Sequence, residues 1–245
     1  MRKVVVGAVD NLASKNIAGA LDGRVEVELL DTKIVELEGL NLSADLVIVA
    51  SSHRSASGKP TLTAHSPGNF GPADMGGAPG SLSISPALYV SEAVRKFKEL
   101  RDARKLQYDV SLEVTHHGPS FEVPIVFVEV GSSEQQWQDM KAVETAADVI
   151  IHLMDVDLSG KSVVGVGGTH YTSYFTKKTM EGLNFGHICP KYASKYLSRD
   201  MLEQMVKKTT PTPEEAWIDW KGTPGGLRQQ TRDWVEELGL KAVKC

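Results

Sequence analysis

The chain is 245 residues long, with 31 acidic and 27 basic side chains and a formal net charge of −4. Hydrophobic residues make up 41% and charged residues 24%, a globular composition that excludes a disordered chain, and the acidic balance excludes polyanion binding driven by global charge. Apolar runs such as Leu46–Ala50 and Val123–Val128 fall far short of the ~18 residues needed to span a bilayer. Asp10 and Asn11 break the N-terminal apolar stretch, which argues against a signal peptide. With only Cys189 and Cys245, neither a disulfide framework nor a thiolate zinc knuckle can be built, and a reducing, cytoplasmic setting is expected. Any metal would rest on carboxylates and on the seven histidines.

In chain order, Lys3–Gly7 reads as a buried strand and Asn11–Leu21 as a helix. Arg24–Leu29 and Lys33–Leu37 read as a strand pair around Asp31-Thr32, and Ala44–Ala50 as an apolar strand. Ser51–Ser85 is rich in Ser, Gly and Pro without periodicity, and reads as one long functional loop carrying His53, His65, Asn69 and Asp74. Ala87–Leu100 has helical spacing. Tyr108–Val114 alternates as a half-buried strand, with Glu113 on its polar face, and Pro124–Val130 is an apolar strand. Ser133 and Gln136 form a capping box for a helix that carries Trp137, Met140, Val143, Ala147 and Ile151 on one face. Lys161–Val166 and Leu183–Cys189 read as strands, and a helical pattern follows Pro190 to about Lys208. Thr209–Pro213 is a linker, and Glu214–Cys245 ends in a helix over Leu227–Leu238 and a short strand. The alternation predicts an α/β three-layer sandwich with a largely parallel or mixed sheet. It also predicts one domain over residues 1–245, with 209–245 as an extension packed on it.

In open α/β sheets ligands bind beyond the carboxyl ends of the strands. His53, His116, His117, His170 and His187 fall near such ends in this reading. That convergence suits a metal or acid–base site. His116 and His117 are adjacent, so an extended backbone would send at most one of them into the site. His152, at a helix end, reads as structural. Glu129 lies in an otherwise apolar strand, where a carboxylate is costly unless paired or bound to a cation. The glycines before Thr169 lack dinucleotide spacing, and Walker A, G-x-S-x-G and H-E-x-x-H patterns are absent. Two basic helix faces, Arg95, Lys98, Arg101 and Lys105, and Lys191, Lys195 and Arg199, are candidates for tracking a phosphate backbone, or simply solvated surface.

Seven blocks fall in order. They are Ser52-His53-Arg54-Ser55, His65 with Gly68-Asn69-Phe70, Thr115-His116-His117-Gly118-Pro119, Glu129-Val130-Gly131-Ser132, Gly167-Gly168-Thr169-His170-Tyr171, Gly186-His187 and Asp219-Trp220-Lys221-Gly222. Together they resemble the archaeal and plant type of D-aminoacyl-tRNA deacylase over nearly the whole chain. Thr223-Pro224 departs from that pattern, where an apolar residue is expected. The resemblance implies a phosphorylase/peptidyl-tRNA-hydrolase-like fold. It also implies a zinc-dependent esterase that frees a D-amino acid from the 3′-terminal adenosine of tRNA.

The chemistry of an activated ester then suggests roles. His116, His170 and His187 are the leading metal-ligand candidates, with His53 next. Glu129 is expected to be a general base or a further ligand, and His117 or Thr115 to orient the water or the ester. His65, Asn69, Gly168 and Thr169 are expected at the substrate, with the 51–85 loop closing over the amino acid. The expected partner is tRNA carrying a D-amino acid, with no membrane, no protein partner and a monomeric chain. The competing readings are a metal-free esterase of the peptidyl-tRNA hydrolase kind, a non-catalytic binder of the tRNA 3′ end and, on fold analogy alone, a phosphorylase-like nucleoside enzyme.

Overall fold

Residues 1–37 and 43–245 are described by the computed structural model. The chain runs β1 (Lys3–Ala8), α1 (Leu12–Leu21), β2 (Val27–Leu30), β3 (Leu46–Arg54), β4 (Thr61–His65), β5 (Ser85–Pro86), α2 (Ala87–Ala103), β6 (Asp109–Leu112) and β7 (Ile125–Ser132). It continues through α3 (Glu134–Trp137), α4 (Met140–Asp155), β8 (Val163–Val166), α5 (Ser173–Met180), β9 (Phe185–Cys189), a 3₁₀ turn (Lys191–Tyr196), α6 (Arg199–Lys207), β10 (Thr209–Thr210), β11 (Glu215–Ile218), α7 (Gly225–Glu237) and β12 (Lys241–Lys244). The result is a mixed α/β architecture with mostly parallel sheets.

A six-stranded sheet has the order β2-β1-β3-β7-β4-β6. Its pairs are parallel except β4 against β7, so β4 and β6 run opposite to the other four strands. A four-stranded sheet, β12-β11-β8-β9, is wholly parallel. β5 and β10 pair separately.

The period of two along a strand sorts the six-stranded sheet into two unlike faces. Leu46, Ile48 and Ala50 of β3, Leu62 and Ala64 of β4, and Val126, Val128 and Val130 of β7 join one apolar core with Val90, Val94 and Phe97 of α2 and Val143, Ala147 and Ile150 of α4. Each Val, Leu, Ile or Phe side chain among them contributes roughly 1.5–3 kcal/mol when fully buried. The opposite face is apolar low on the sheet, where Val47, Val49, Ile125 and Phe127 pack on Ile34, Leu37 and Phe121. Higher up it turns polar.

Several predicted elements change. Lys33–Leu37 forms no strand; Ile34 and Leu37 instead plug the lower end of the second face. Ser51–Ser85 is not one irregular loop, because Ser51–Arg54 completes β3 and Thr61–His65 forms β4, held on both sides by neighbouring strands. Serine and threonine here are strand residues of a buried polar face, which local composition does not reveal. The capping box is present, with Ser133 N donating to Gln136 Oε1 at 3.1 Å, but its helix stops at Trp137. Asp139 then caps a new helix by accepting from Lys141 N, which leaves Met140 49% exposed rather than on the buried face. The helical pattern after Pro190 likewise divides into a 3₁₀ turn and α6, restarted by Ser198 capping Met201 N at 3.1 Å. The tail supplies two strands, β11 and β12, that complete the second sheet.

Candidate active site

Pair register builds the site. Ser51, Glu129, Thr63 and Ser111 stand opposite one another on β3, β7, β4 and β6, and all four are buried. Two residues along β3 stands His53, and two residues along β4 stands His65, whose ring stacks on Phe127 at 5.1 Å. The side chains therefore share a face across the sheet, not a common row of carboxyl ends, since β6 runs against β3 and β7. His170 does follow the carboxyl end of β8, in the loop that hydrogen-bonds back to Val114 N through His170 O.

Glu113 is the centre of this arrangement. Its side chain has no exposure. His53 Nδ1 lies 3.2 Å from Oε1, while His170 Nε2 and His116 Nε2 lie 3.1 and 3.6 Å from Oε2. None of these contacts has hydrogen-bond geometry, so both carboxylate oxygens are buried without a hydrogen-bond partner. His65 Nε2 is similarly orphaned, 3.7 Å from Glu129 Oε2. A buried carboxylate in that condition costs several kcal/mol unless a cation or proton compensates it.

Both adjacent histidines enter the cluster, against the expectation of one. His117 adopts a left-handed backbone, φ 45°, which folds its ring to 4.3 Å from that of His116. His116 Nδ1 contacts Val114 O at 2.8 Å and His117 Nδ1 contacts Gly118 O at 2.5 Å. With each Nδ1–H donated to a carbonyl, each Nε2 is left as the ligand or acceptor atom. The turn is possible because residue 118 is glycine: a Cβ there would fall 2.3 Å from both Gly77 N and Val35 O. His53 Nε2 is 2.7 Å from the Tyr171 hydroxyl. Ligand atoms thus gather in three overlapping triads, each within 4.8 Å: His65/His116/His117, His53/Glu113/His170 and His65/Glu113/Glu129.

The electrostatics follow from burial. Desolvation pushes the imidazoles of His65 and His117 down to about 4, and that of His116 well below its ordinary value. His170 goes the other way: burial opposes its charge, but the adjacent Glu113 carboxylate outweighs it and raises the pKa. Burial would also raise Glu113, yet the neighbouring His170, His53 and His65 hold it low. Glu129 is pushed up by burial and then by the charge of Glu113. The pair therefore favours one ionised and one protonated carboxyl group.

A cleft of about 470 Å³ opens onto this centre, lined by Phe70, Met75, His116, His117, His170 and Tyr192 among others. Asn69 also lines it, but its amide donates to Gly76 O at 2.9 Å and so ties the 68–80 turn together. Gly168 and Thr169 lie outside the cleft lining; Gly168 O accepts from Lys191 N, and the Thr169 hydroxyl from its own side donates to Tyr171 O. His65 is buried behind the cleft rather than facing substrate.

One expected ligand is removed by the structure. His187 is fully buried, with Nδ1 3.0 Å from Thr115 Oγ1 and Nε2 2.9 Å from Ser83 O. Both ring nitrogens are therefore engaged by the protein, and no lone pair is left for a metal. The Thr115 hydroxyl lines the cleft but its proton is committed to His187, and it also accepts from Ile188 N at 3.1 Å. His152 contacts Glu92 at 2.8 Å, as a structural residue should. Glu113 and Tyr171 were not among the expected site residues. The signal for Glu113 was present: it continues the Asp109, Ser111 alternation directly into Thr115-His116-His117, and the polar face of β6 points inward.

A buried histidine–carboxylate cluster whose groups could hold a metal ion lies on one face of a mixed sheet and opens to a cleft, an arrangement that suits a hydrolytic enzyme with an α/β fold. The family model described as D-aminoacyl-tRNA deacylase matches residues 40–243. The chain belongs to that family. A D-aminoacyl-tRNA deacylase of Thermococcus kodakarensis is 38% identical over 219 residues, covering 88% of this chain and 78% of that protein. One of Ignicoccus hospitalis is 34% identical over 248 residues, covering 99% of each. A solved crystal structure of a conserved protein of unknown function superimposes with a TM-score of 0.91 at 27% identity, covering 99% of this chain and 95% of that one. Among the described residues no helix is long and apolar enough to cross a membrane.

Proposed function

We propose that the chain hydrolyses the ester joining a D-amino acid to the 3′-terminal adenosine of tRNA, releasing both, with a divalent cation such as zinc held around Glu113. The family supports the reaction. The observation that carries the cation is the fully buried Glu113 carboxylate, with no hydrogen bond to either oxygen and three imidazole nitrogens around it. Two histidines and one carboxylate are a donor set that suits zinc. We assign His53 and His170 as the ligands with Glu113, which keeps two of the four sequence-derived candidates, moves His116 to the substrate side and replaces His187.

When bound, such an ion supplies Lewis-acid polarisation of the ester carbonyl and acidifies water. The remaining work falls to the chain. Tyr171 fixes the His53 ring through Nε2. Glu129 is the proton acceptor: burial raises its affinity for a proton, toward the range a general base needs. His116 and His117, neutral and held through Nδ1, present Nε2 as acceptors at the cleft floor to orient N–H and O–H groups of the substrate. Glu129, once it has taken the proton of the attacking water, returns it to the ribose oxygen as that oxygen leaves. The same reading has a monomer acting on tRNA in the cytoplasm.

The test is hydrolysis of D- and L-tyrosyl-tRNA side by side, before and after chelation, with metal content measured on wild type and Glu113→Gln. D-tyrosine release that is lost on chelation and restored by zinc is expected. Glu113→Gln is expected to lose bound metal and on the order of 10³ in rate, the worth of several kcal/mol. Chelator-insensitive cleavage, or full activity in Glu113→Gln, would overturn the cation. Cleavage only of N-acylated aminoacyl-tRNA would favour the peptidyl-tRNA hydrolase reading instead.

A further inference from the structure

Soluble proteins hide their large aromatic side chains unless a partner covers them. Among the described residues, only two aromatic side chains are exposed, Tyr192 at 56% and Tyr196 at 39%. Both line the cleft that holds His116, His117 and His170. They stand on the 3₁₀ turn Lys191–Tyr196, whose Ala193 and Ser194 are buried while Lys191, Tyr192, Lys195 and Tyr196 face outward. Three residues per turn place Tyr192 and Lys195 one above the other.

The two tyrosines are not equivalent. Tyr196 is seated: its ring lies so close to residue 71 that a Cβ there would come within 2.5 Å, and Lys195 Nζ sits 4.8 Å above the ring. Tyr192 carries no ring or cation contact of that kind among the described residues. The charge is also unbalanced here. On α2, Arg95 pairs with Glu92 at 3.0 Å and Arg101 with Asp102 at 2.7 Å, and Lys98 pairs with Asp102 as well. Arg199 is likewise paired, with Glu203 and Glu237. Lys191 and Lys195 have no carboxylate partner among the described residues, although the chain as a whole is acidic. An open aromatic face beside two uncompensated ammonium groups, at the mouth of a catalytic cleft, is the arrangement that binds unpaired nucleotides by stacking and phosphate attraction.

We infer that Tyr192 is the stacking platform for the unpaired 3′-terminal bases of the tRNA, with Lys195, carried on Tyr196, and Lys191 holding the adjoining phosphates. This rests on the function proposed above. It assigns the tRNA-facing surface to the 191–196 turn rather than to the α2 face, where Arg95, Lys98 and Arg101 already lie against carboxylates.

The experiment compares wild type with Tyr192→Ala, Tyr192→Phe and Lys195→Ala, all checked for unchanged thermal unfolding. Each is assayed for steady-state hydrolysis of D-tyrosyl-tRNA and for inhibition by the trinucleotide CCA. Tyr192→Ala is expected to raise KM and the trinucleotide inhibition constant together by about 5- to 100-fold, the worth of one stacked base, while kcat moves little. Tyr192→Phe restores both, since the ring and not the hydroxyl does the stacking. Lys195→Ala flattens the salt dependence of the inhibition constant by about 0.7 in log–log slope per phosphate lost. An unchanged trinucleotide inhibition constant in Tyr192→Ala, or a phenylalanine variant no better than alanine, overturns the platform. If wild type cleaves no D-aminoacyl-tRNA, the functional reading fails by itself, and direct trinucleotide binding to Tyr192→Ala still decides the platform.

Discussion

His65 and His187 are equally buried histidines within the same fold, yet they sit in opposite chemical conditions. Around His187 every polar atom is matched: Thr115 takes Nδ1, Ser83 takes Nε2, and Ile188 N completes the threonine. Around His65 the atoms stay unmatched, with Glu113 and His65 Nε2 buried and unbonded and Glu129 close by. Burial alone therefore does not mark a functional histidine. A closed hydrogen-bond inventory marks a structural one, and a cluster of open ones marks a place where a cation or substrate completes the inventory.

Four experiments break or sharpen this contrast. The largest effect is expected for Glu129→Gln, which keeps shape and burial but removes the proton acceptor; kcat should fall about 10²–10⁴-fold with metal content retained. Single-turnover kinetics with metal analysis on the same sample would check it, and a near-wild-type rate would remove the role. The contrast itself is tested by the paired variants His65→Ala and His187→Ala. His187→Ala opens a filled hydrogen-bond network and a cavity, and should cost about 2–4 kcal/mol in urea unfolding of the metal-free protein with metal affinity kept. His65→Ala should cost less stability and at least about 10-fold in metal affinity. A reversal of those two patterns would erase the distinction.

Next comes linkage. Metal at a hundredfold excess over its dissociation constant should stabilise wild type by about 2.7 kcal/mol, read as a rise in Tm, and Glu113→Gln should gain almost none of it. The smallest effect belongs to a satisfied pair far from the site. Burial would raise Glu92, but contacts with His152 and Arg95 hold its carboxyl below the usual value. Its stabilising contribution is therefore present above the unfolded glutamate pKa and disappears as the pH falls through the lower folded value. Because the pair is partly exposed, about 0.5 kcal/mol is expected, as a loss of urea midpoint on acidification that Glu92→Gln does not show. Equal acid sensitivity in the two proteins would mean the contact adds nothing.

The alternation of strands and helices, the capping box at Ser133 and Gln136, and the apolar faces of α2 and α4 were legible in the sequence, because hydrophobic periodicity and end-capping act over a few residues. So was the convergence of His53, His116, His117, His170 and Glu129 on one place, since imidazoles collected after strands and a carboxylate in an apolar strand stand out locally. Three things were decided only in the tertiary structure. The antiparallel placement of β4 turned Thr61–His65 from loop into strand and brought His65 Nε2 to 3.7 Å from Glu129 Oε2, a contact across strands that local composition does not encode. The left-handed backbone at His117 brought two neighbouring rings to one point, where an extended chain would have separated them. The covering of the polar face of β6 made Glu113 the most buried carboxylate of the site, although its alternation with Asp109 and Ser111 reads as an ordinary solvent face. A sequence period shows that a face is polar. Whether water or a catalytic centre meets that face depends on what the rest of the chain lays over it.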